Sequence, residues 1–86
     1  MPTISAFYGL IIRMYYRDHE PAHFHVFYQG NEAKIDIERL QLMAGHLPRR
    51  ALSLALDWAE LHQNELRANW RLAQQRRPIP NIEPLE

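Results

Sequence analysis

The sequence predicts an α+β fold: a small antiparallel sheet of three to four strands, followed by two C-terminal helices that pack on one sheet face. Two observations support this prediction. The part of the chain before Gly45 is rich in β-branched and aromatic residues and partly alternates apolar with polar positions, as strands with one wet face do. From Pro48 onward the apolar residues recur three or four positions apart, which is the spacing of amphipathic helices. We expect a single domain over residues 1–86.

The strands are expected to follow one another through short turns. Glycine suits the first position of a type II′ turn, so Gly30 and Asn31 are predicted to form a two-residue hairpin loop. Residues 18–22 hold the residue types of a longer turn. The predicted strands are residues 10–17, 23–28, 33–38 and a short fourth strand at 40–45.

The helical half begins at Pro48, because proline fits the first turn of a helix. The first helix is predicted from Arg49 to Gln63, and Asn64 is a suitable N-cap for the second. One continuous helix over residues 49–76 would be about 42 Å long, whereas a domain of this size is roughly 30 Å across. A break near Asn64 is therefore expected. The proline-rich tail that follows is predicted to lie against the body through Ile79, Ile82 and Leu85.

Three of the five histidines lie within residues 19–25. With a loop at residues 30–31, the hairpin register places His25 opposite Asp36 and His23 opposite Glu38, on a solvated face. Opposed Cβ atoms lie about 4.5–5.5 Å apart, so each carboxylate could orient an imidazole. The same face of the first strand would carry Arg13, Tyr15 and Arg17.

Three interpretations of this face remain open. The first is structural, since histidine and carboxylate neighbours are ordinary cross-strand pairs. The second is a divalent metal site in which His23 and His25 are joined by Glu38 or Asp36, with His19 as a further ligand from the loop.

The third interpretation is metal-independent cleavage of RNA. His23 and His25 would transfer protons in such a reaction. The remaining groups on the face would hold the phosphate or orient the rings: Arg13 and Arg17 for the phosphate, and Asp36 and Glu38 for the rings.

Composition limits the expected location of the protein, its partners and its cofactors. The chain has no cysteine, so disulfides and thiolate metal sites are excluded and a cytoplasmic location is expected. The N-terminus does not resemble a signal peptide, and no apolar run is long enough to cross a membrane. The net charge is zero, which does not favour nucleic acid as a direct partner. Apart from a divalent metal, no cofactor is expected.

The chain resembles the DUF4160 family of small bacterial and archaeal proteins of unknown function. The central block from Asp18 to Val26 carries the resemblance most specifically, because it matches the family pattern Asp-His-x-Pro-Pro-His-Phe-His, with Ala22 in place of the second proline. Further matching segments are Met1-Pro2-Thr3-Ile4, Phe7-Tyr8-Gly9, Leu47-Pro48-Arg49-Arg50, Trp58, Leu61-His62, Glu65-Leu66, Asn69-Trp70 and Ile82-Glu83-Pro84-Leu85.

The resemblance implies a protein partner encoded nearby, often of the DUF2442 type, and a place in a toxin-antitoxin pair. We therefore expect a cytoplasmic toxin-antitoxin-type module that acts through a partner protein, with histidine-based activity on RNA as an extension. The alternatives are a metal-binding module and a non-catalytic interaction domain. The sequence leaves homo-oligomer formation open.

Overall fold

The protein forms a five-stranded antiparallel sheet followed by two helices, as seen in a computed structural model that describes residues 2–86. The α+β prediction is confirmed, with one strand more than expected. Neighbouring strands in the sheet are also neighbours in sequence. The elements are β1 (Thr3–Phe7), β2 (Leu10–Arg13), β3 (His23–Tyr28), β4 (Asn31–Asp36), β5 (Gln41–Gly45), α1 (Arg49–Leu61) and α2 (Gln63–Gln74).

Strand β1 was not predicted, and it pairs with β2 through a tight turn at Tyr8 and Gly9. Both turn residues have positive φ, at 49° and 83°, as the hairpin turn that matches the twist of a sheet requires. The strand predicted over residues 10–17 is shorter than expected. It ends at Arg13, and the chain then leaves the sheet, so that the backbone N–H of Arg17 donates to the carbonyl of Ala73 at 3.2 Å.

The predicted register of the β3–β4 hairpin is wrong by two residues. The turn lies at Gln29 and Gly30, which both have positive φ (46° and 81°), so glycine occupies the second turn position and not the first. His23 consequently pairs with Asp36, and His25 pairs with Lys34. A shift of two residues preserves which face each side chain occupies, so both histidines still project to the same side.

The core lies between one sheet face and the helices. Trp58 of α1 is fully buried, with its ring centroid 5.5 Å from that of Phe7 and 5.7 Å from that of Phe24. Burying aromatic rings of this size contributes strongly to stability. The buried core residues that the sheet supplies are Ile4, Phe7, Leu10, Ile12, Phe24, Val26, Ala33 and Ile35.

The helices meet at His62, two residues before the predicted break at Asn64. The extended tail then returns to the sheet, as predicted. The backbone N–H of Ile82 donates to the carbonyl of Ile4 at 2.8 Å, and the indole N–H of Trp58 donates to the carbonyl of Glu83 at 2.8 Å. Within residues 2–86, neither helix has the length and apolar character that crossing a membrane requires.

Candidate metal centre

Three side chains converge beside the start of β3: Asp18 from the loop after β2, and His23 and His25 from β3 itself. The Oδ2 atom of Asp18 lies 3.0 Å from Nε2 of His23 and 3.1 Å from Nε2 of His25. The two imidazoles point the same way because they are two residues apart on a strand. We call this set the Asp18 cluster; one ligand atom from each of the three side chains lies within 4.8 Å of the others.

The two histidines of the Asp18 cluster are enclosed by protein, whereas the Asp18 side chain is about one-fifth exposed. His23 is 3% exposed and His25 is 5% exposed, so the prediction of a solvated histidine face is wrong. The reason is that two aromatic rings cover the pair. The Trp70 ring of α2 lies 5.3 Å from the ring of His23, and the Tyr15 ring meets that of His25 edge-on at 4.3 Å.

Helix α2 also fixes the loop that carries Asp18. The side-chain amide of Gln74 donates to the backbone carbonyl of Asp18 at 3.2 Å. Four residues earlier on the helix, the indole N–H of Trp70 donates to a carboxylate oxygen of Glu20 at 3.2 Å. The position of Asp18 therefore depends on a helix that lies far along the chain.

The second nitrogen of each imidazole has its own acceptor. Nδ1 of His23 donates to the carbonyl of Pro21 at 2.8 Å, and Nδ1 of His25 lies 3.2 Å from a carboxylate oxygen of Glu32. A carbonyl and an ionised carboxylate only accept hydrogen bonds, so both Nδ1 atoms carry a proton. In the neutral imidazoles, the Nε2 lone pairs therefore face the Asp18 carboxylate.

Three acceptor atoms thus meet in one buried place. The contact between His23 and Asp18 is short, but its angles are not those of a hydrogen bond, and Nε2 of His23 has no hydrogen-bond partner in the described part of the chain. Burial raises the pKa of Asp18. When the two imidazoles also carry a proton on Nε2, the hydrogen bonds from His25 and from the N–H of His19, together with the charge of the rings, outweigh burial and place this pKa below its usual range. The carboxylate is accordingly ionised at neutral pH.

The carboxylates that were predicted to orient the histidines bind elsewhere. Oδ1 of Asp36 accepts the backbone N–H groups of Glu38 and Arg39, at 2.8 and 2.9 Å, and so stabilises the turn after β4. Glu38 pairs with Arg67 of α2, with 2.8 Å between Nε and Oε2. Asp36 pairs with His23 in the sheet, but its carboxylate is held by the N–H groups of Glu38 and Arg39. Glu38 lies beyond the end of β4, so neither carboxylate joins the Asp18 cluster.

The other predicted site residues also lie apart from the Asp18 cluster. The guanidinium carbon of Arg13 lies 4.9 Å from the centre of the Phe27 ring, and its Nε donates to Thr3 at 3.3 Å. Arg17 and His19 are exposed. The backbone N–H of His19 donates to Oδ1 of Asp18, so this histidine helps to position the carboxylate through its main chain.

Two residues of the site were missed by the sequence reasoning, Asp18 and Glu32. Asp18 stands at the head of the segment that contains the histidines, but it was assigned only a turn role. Glu32 was paired with Gln29 in the predicted hairpin, whereas the observed register places it two residues before the partner of His25. Placing Gly30 second in the turn would have indicated Glu32 as a diagonal neighbour of His25.

Comparison with known proteins gives one finding about this chain. No curated protein and no solved structure matches it. A family model described as "Domain of unknown function (DUF4160)" matches residues 9–71, which contain the whole Asp18 cluster and Glu32. The chain therefore belongs to the DUF4160 family.

Proposed function

We propose that the protein is a divalent-metal-binding module whose ligands are Asp18, His23 and His25. The observation that carries this proposal is the buried Nε2 atom of His23, which has no hydrogen-bond partner among residues 2–86 and faces an ionised carboxylate. A buried polar atom without a partner is costly, and a metal ion supplies the missing interaction. Two imidazoles and one carboxylate form a common ligand set for divalent transition metals.

A proton is the competing cation at this place. If Nε2 of His25 is protonated, it donates to Asp18 and the contact at 3.1 Å is satisfied. Nε2 of His23 still lacks an aligned partner in that arrangement, because its contact with Asp18 does not have hydrogen-bond geometry. A metal ion satisfies all three ligand atoms at once, and this difference favours the metal.

The spacing of the ligand atoms fits a metal ion. Metal–nitrogen and metal–oxygen distances of about 2.0–2.2 Å place neighbouring ligand atoms about 2.8–3.1 Å apart at octahedral angles and about 3.3–3.6 Å apart at tetrahedral angles. The two measured contacts are 3.0 and 3.1 Å, which is close to the octahedral range. Imidazole with carboxylate suits zinc, iron and nickel better than magnesium or calcium. Three protein ligands leave further positions for water or a small exogenous ligand.

Metal analysis of protein purified without a histidine tag tests the proposal. We expect one equivalent of zinc, iron or nickel to bind the wild type and none to bind His23→Ala, whereas the control His46→Ala, which changes an exposed histidine, behaves as the wild type. At 100 times the dissociation constant, the metal should stabilise the fold by about 2.7 kcal/mol and raise the Tm by about 10–20 °C. Sub-stoichiometric metal and an unchanged Tm with all three metals would contradict the proposal.

We also propose, as a second function, that the protein acts through a partner encoded by the neighbouring gene, as in a toxin-antitoxin pair. Strand β5 supports this idea, since it is an edge strand without charged residues whose Leu42 and Met43 are about two-fifths exposed. Edge strands of this kind offer unpaired backbone groups to another chain. Co-purification with the neighbouring product should succeed for the wild type and for Glu60→Lys on α1, and should fail for Met43→Lys. Equal recovery of the partner with all three proteins would contradict a role for β5.

Histidine-based RNA cleavage has less support than either proposal. An RNA phosphate would have to reach two histidines that are almost fully buried, and the arginine predicted to bind that phosphate, Arg13, stacks on Phe27. Induced expression of the wild type beside His23→Ala and His25→Ala tests the idea. Slower growth of the wild type alone would support cleavage, and equal growth of all three strains would eliminate it.

A further inference from the structure

We infer that Glu32 is a positioning residue for the metal site, acting on the metal through the ring of His25; this inference rests on the proposed metal binding. Its carboxylate oxygen Oε2 lies 3.2 Å from Nδ1 of His25. Nε2 of the same ring faces Asp18, where the metal would bind. Glu32, the His25 ring and the metal would therefore form a carboxylate–imidazole–metal arrangement. Such outer carboxylates fix the tautomer of a ligating histidine and make it a stronger donor.

The backbone of Glu32 is held in place by the end of β5. Its carbonyl accepts the N–H of His46 at 3.1 Å. Gly45, which has a φ of 83°, lies so close that a Cβ atom added there would be 2.1 Å from this carbonyl oxygen. Only glycine allows this approach. Glu32 is therefore anchored through its main chain, although its side chain is about half exposed.

The two imidazoles have acceptors of different charge. Nδ1 of His23 donates to the neutral carbonyl of Pro21, whereas Nδ1 of His25 faces an anion. An anionic acceptor strengthens electron donation from the opposite nitrogen, so His25 should be the stronger ligand of the two. Asp18 and Glu32 together contribute two negative charges. A divalent ion and these two carboxylates together therefore carry no net charge, which limits the free-energy cost of burying the ion.

Zinc affinity, measured by competition with a chelating dye, tests the role of Glu32. We expect Glu32→Ala to weaken zinc binding by about 10–100-fold, as loss of an outer-shell carboxylate commonly does. Glu32→Gln should weaken zinc binding less, because the amide oxygen still accepts the Nδ1 proton but carries no charge. The control is Glu65→Gln, which alters the carboxylate beside His62 on α2 and should leave zinc affinity unchanged.

A second measurement separates positioning from a general structural effect. Nitrogen NMR of the zinc-free protein should show the proton of His25 on Nδ1 in the wild type and a larger population with the proton on Nε2 in Glu32→Ala. Unchanged affinity and an unchanged tautomer in Glu32→Ala would overturn the inference while leaving the metal site intact. Failure of the wild type to bind zinc, iron or nickel would overturn the metal site and the inference together.

Discussion

Histidine meets carboxylate both at the helix junction and around the Asp18 cluster, and these two regions differ in kind. At the helix junction, Nδ1 of His62 contacts Glu65 at 2.6 Å in an i,i+3 pair whose carboxylate is about half exposed. In the Asp18 cluster, two histidines and one carboxylate bring three acceptor atoms together behind Trp70 and Tyr15. One proton satisfies the first arrangement completely, whereas the second retains a buried nitrogen that has no hydrogen-bond partner in the part of the chain that the structure describes.

This difference shows which histidine contacts point to a ligand. A single exposed pair is a local contact of small energy, and it is satisfied without a bound ligand. Convergence, burial and fixed tautomers together create a demand for a cation that the protein's own hydrogen bonds do not meet. The number of acceptors around one point is therefore more informative than the number of histidines in a stretch of sequence.

Removal of the Asp18 carboxylate, which His23 and His25 share, should have the largest effect and abolish the difference between the Asp18 cluster and the helix-junction pair. We expect Asp18→Asn to weaken zinc binding by at least about 1,000-fold, or about 4 kcal/mol, because the loss of a ligand exceeds the loss of an outer-shell group. Glu65→Gln should bind zinc as the wild type does. Dye competition measures both. Equal loss of zinc affinity in the two variants would show that the Asp18 cluster is not the binding site.

Gly45 tests whether the end of β5 approaches the backbone of Glu32 as closely as the structure indicates. Gly45→Ala should lower the free energy of unfolding by about 2–4 kcal/mol, since positive φ costs about 1–2 kcal/mol and the new Cβ meets the Glu32 backbone. Gly30→Ala is the matched control, with similar φ but no atom within 4 Å of the added Cβ, and should cost only the conformational part. Urea unfolding provides both values, and equal costs would argue against the close approach at Gly45.

The helix-junction pair should contribute little. We expect Glu65→Ala to lower the free energy of unfolding by less than about 1 kcal/mol, since the carboxylate is about half exposed and exposed ion pairs are weak. Asp57→Ala, on the exposed surface of α1, serves as a reference, because this helical carboxylate forms no ion pair with the residues that the structure describes. A loss well above 1 kcal/mol for Glu65→Ala in thermal unfolding would remove the contrast with the Asp18 cluster.

The exposed ion pair between Glu38 and Arg67 should contribute least to the free energy of unfolding. The hydrogen bonds from Arg67 place the pKa of Glu38 below its usual value. A lowered carboxylate pKa stabilises the fold at pH values above the unfolded pKa, and this contribution disappears as the pH falls through the folded pKa. Glu38→Gln should therefore be slightly less stable than the wild type at pH 7, and this difference should shrink as the pH falls through the folded pKa of Glu38. A Tm difference that grows on acidification would contradict this sign.

Much of the fold could be predicted from local patterns. The strand at His23–Tyr28 has the predicted bounds, and the first helix begins at Arg49 as predicted but ends at Leu61, two residues before the predicted Gln63. The tail packs through Ile82 as expected. Strand β1 was missed because its turn, Tyr8-Gly9, lies close to the N-terminus and the strand is only five residues long. The α+β class followed from the change of periodicity between Gly45 and Pro48, which requires no knowledge of distant contacts.

The candidate site was predictable only in its histidines. His23 and His25 share a face through strand geometry alone, which is local. The carboxylate beside Nδ1 of His25 depends on where the β3–β4 turn begins, and placing Gly30 first instead of second in that turn predicts Asp36 in place of Glu32. Asp18 lies in the preceding loop, where its residue type predicts only a turn. Burial of the pair depends on Trp70, a residue that reaches the start of β3 only when α2 folds back. Contacts between such distant positions leave no periodic signal.

The position of Trp70 gives the protein a built-in optical reporter. Its ring lies 5.3 Å from that of His23, close enough for an open-shell ion at the Asp18 cluster to quench indole emission. The second indole, Trp58, lies in the core against Phe7 and Phe24 and provides a background signal. A fluorescence titration of the unlabelled chain with nickel, compared with Trp70→Phe, would therefore follow occupancy of the Asp18 cluster without a dye or a tag.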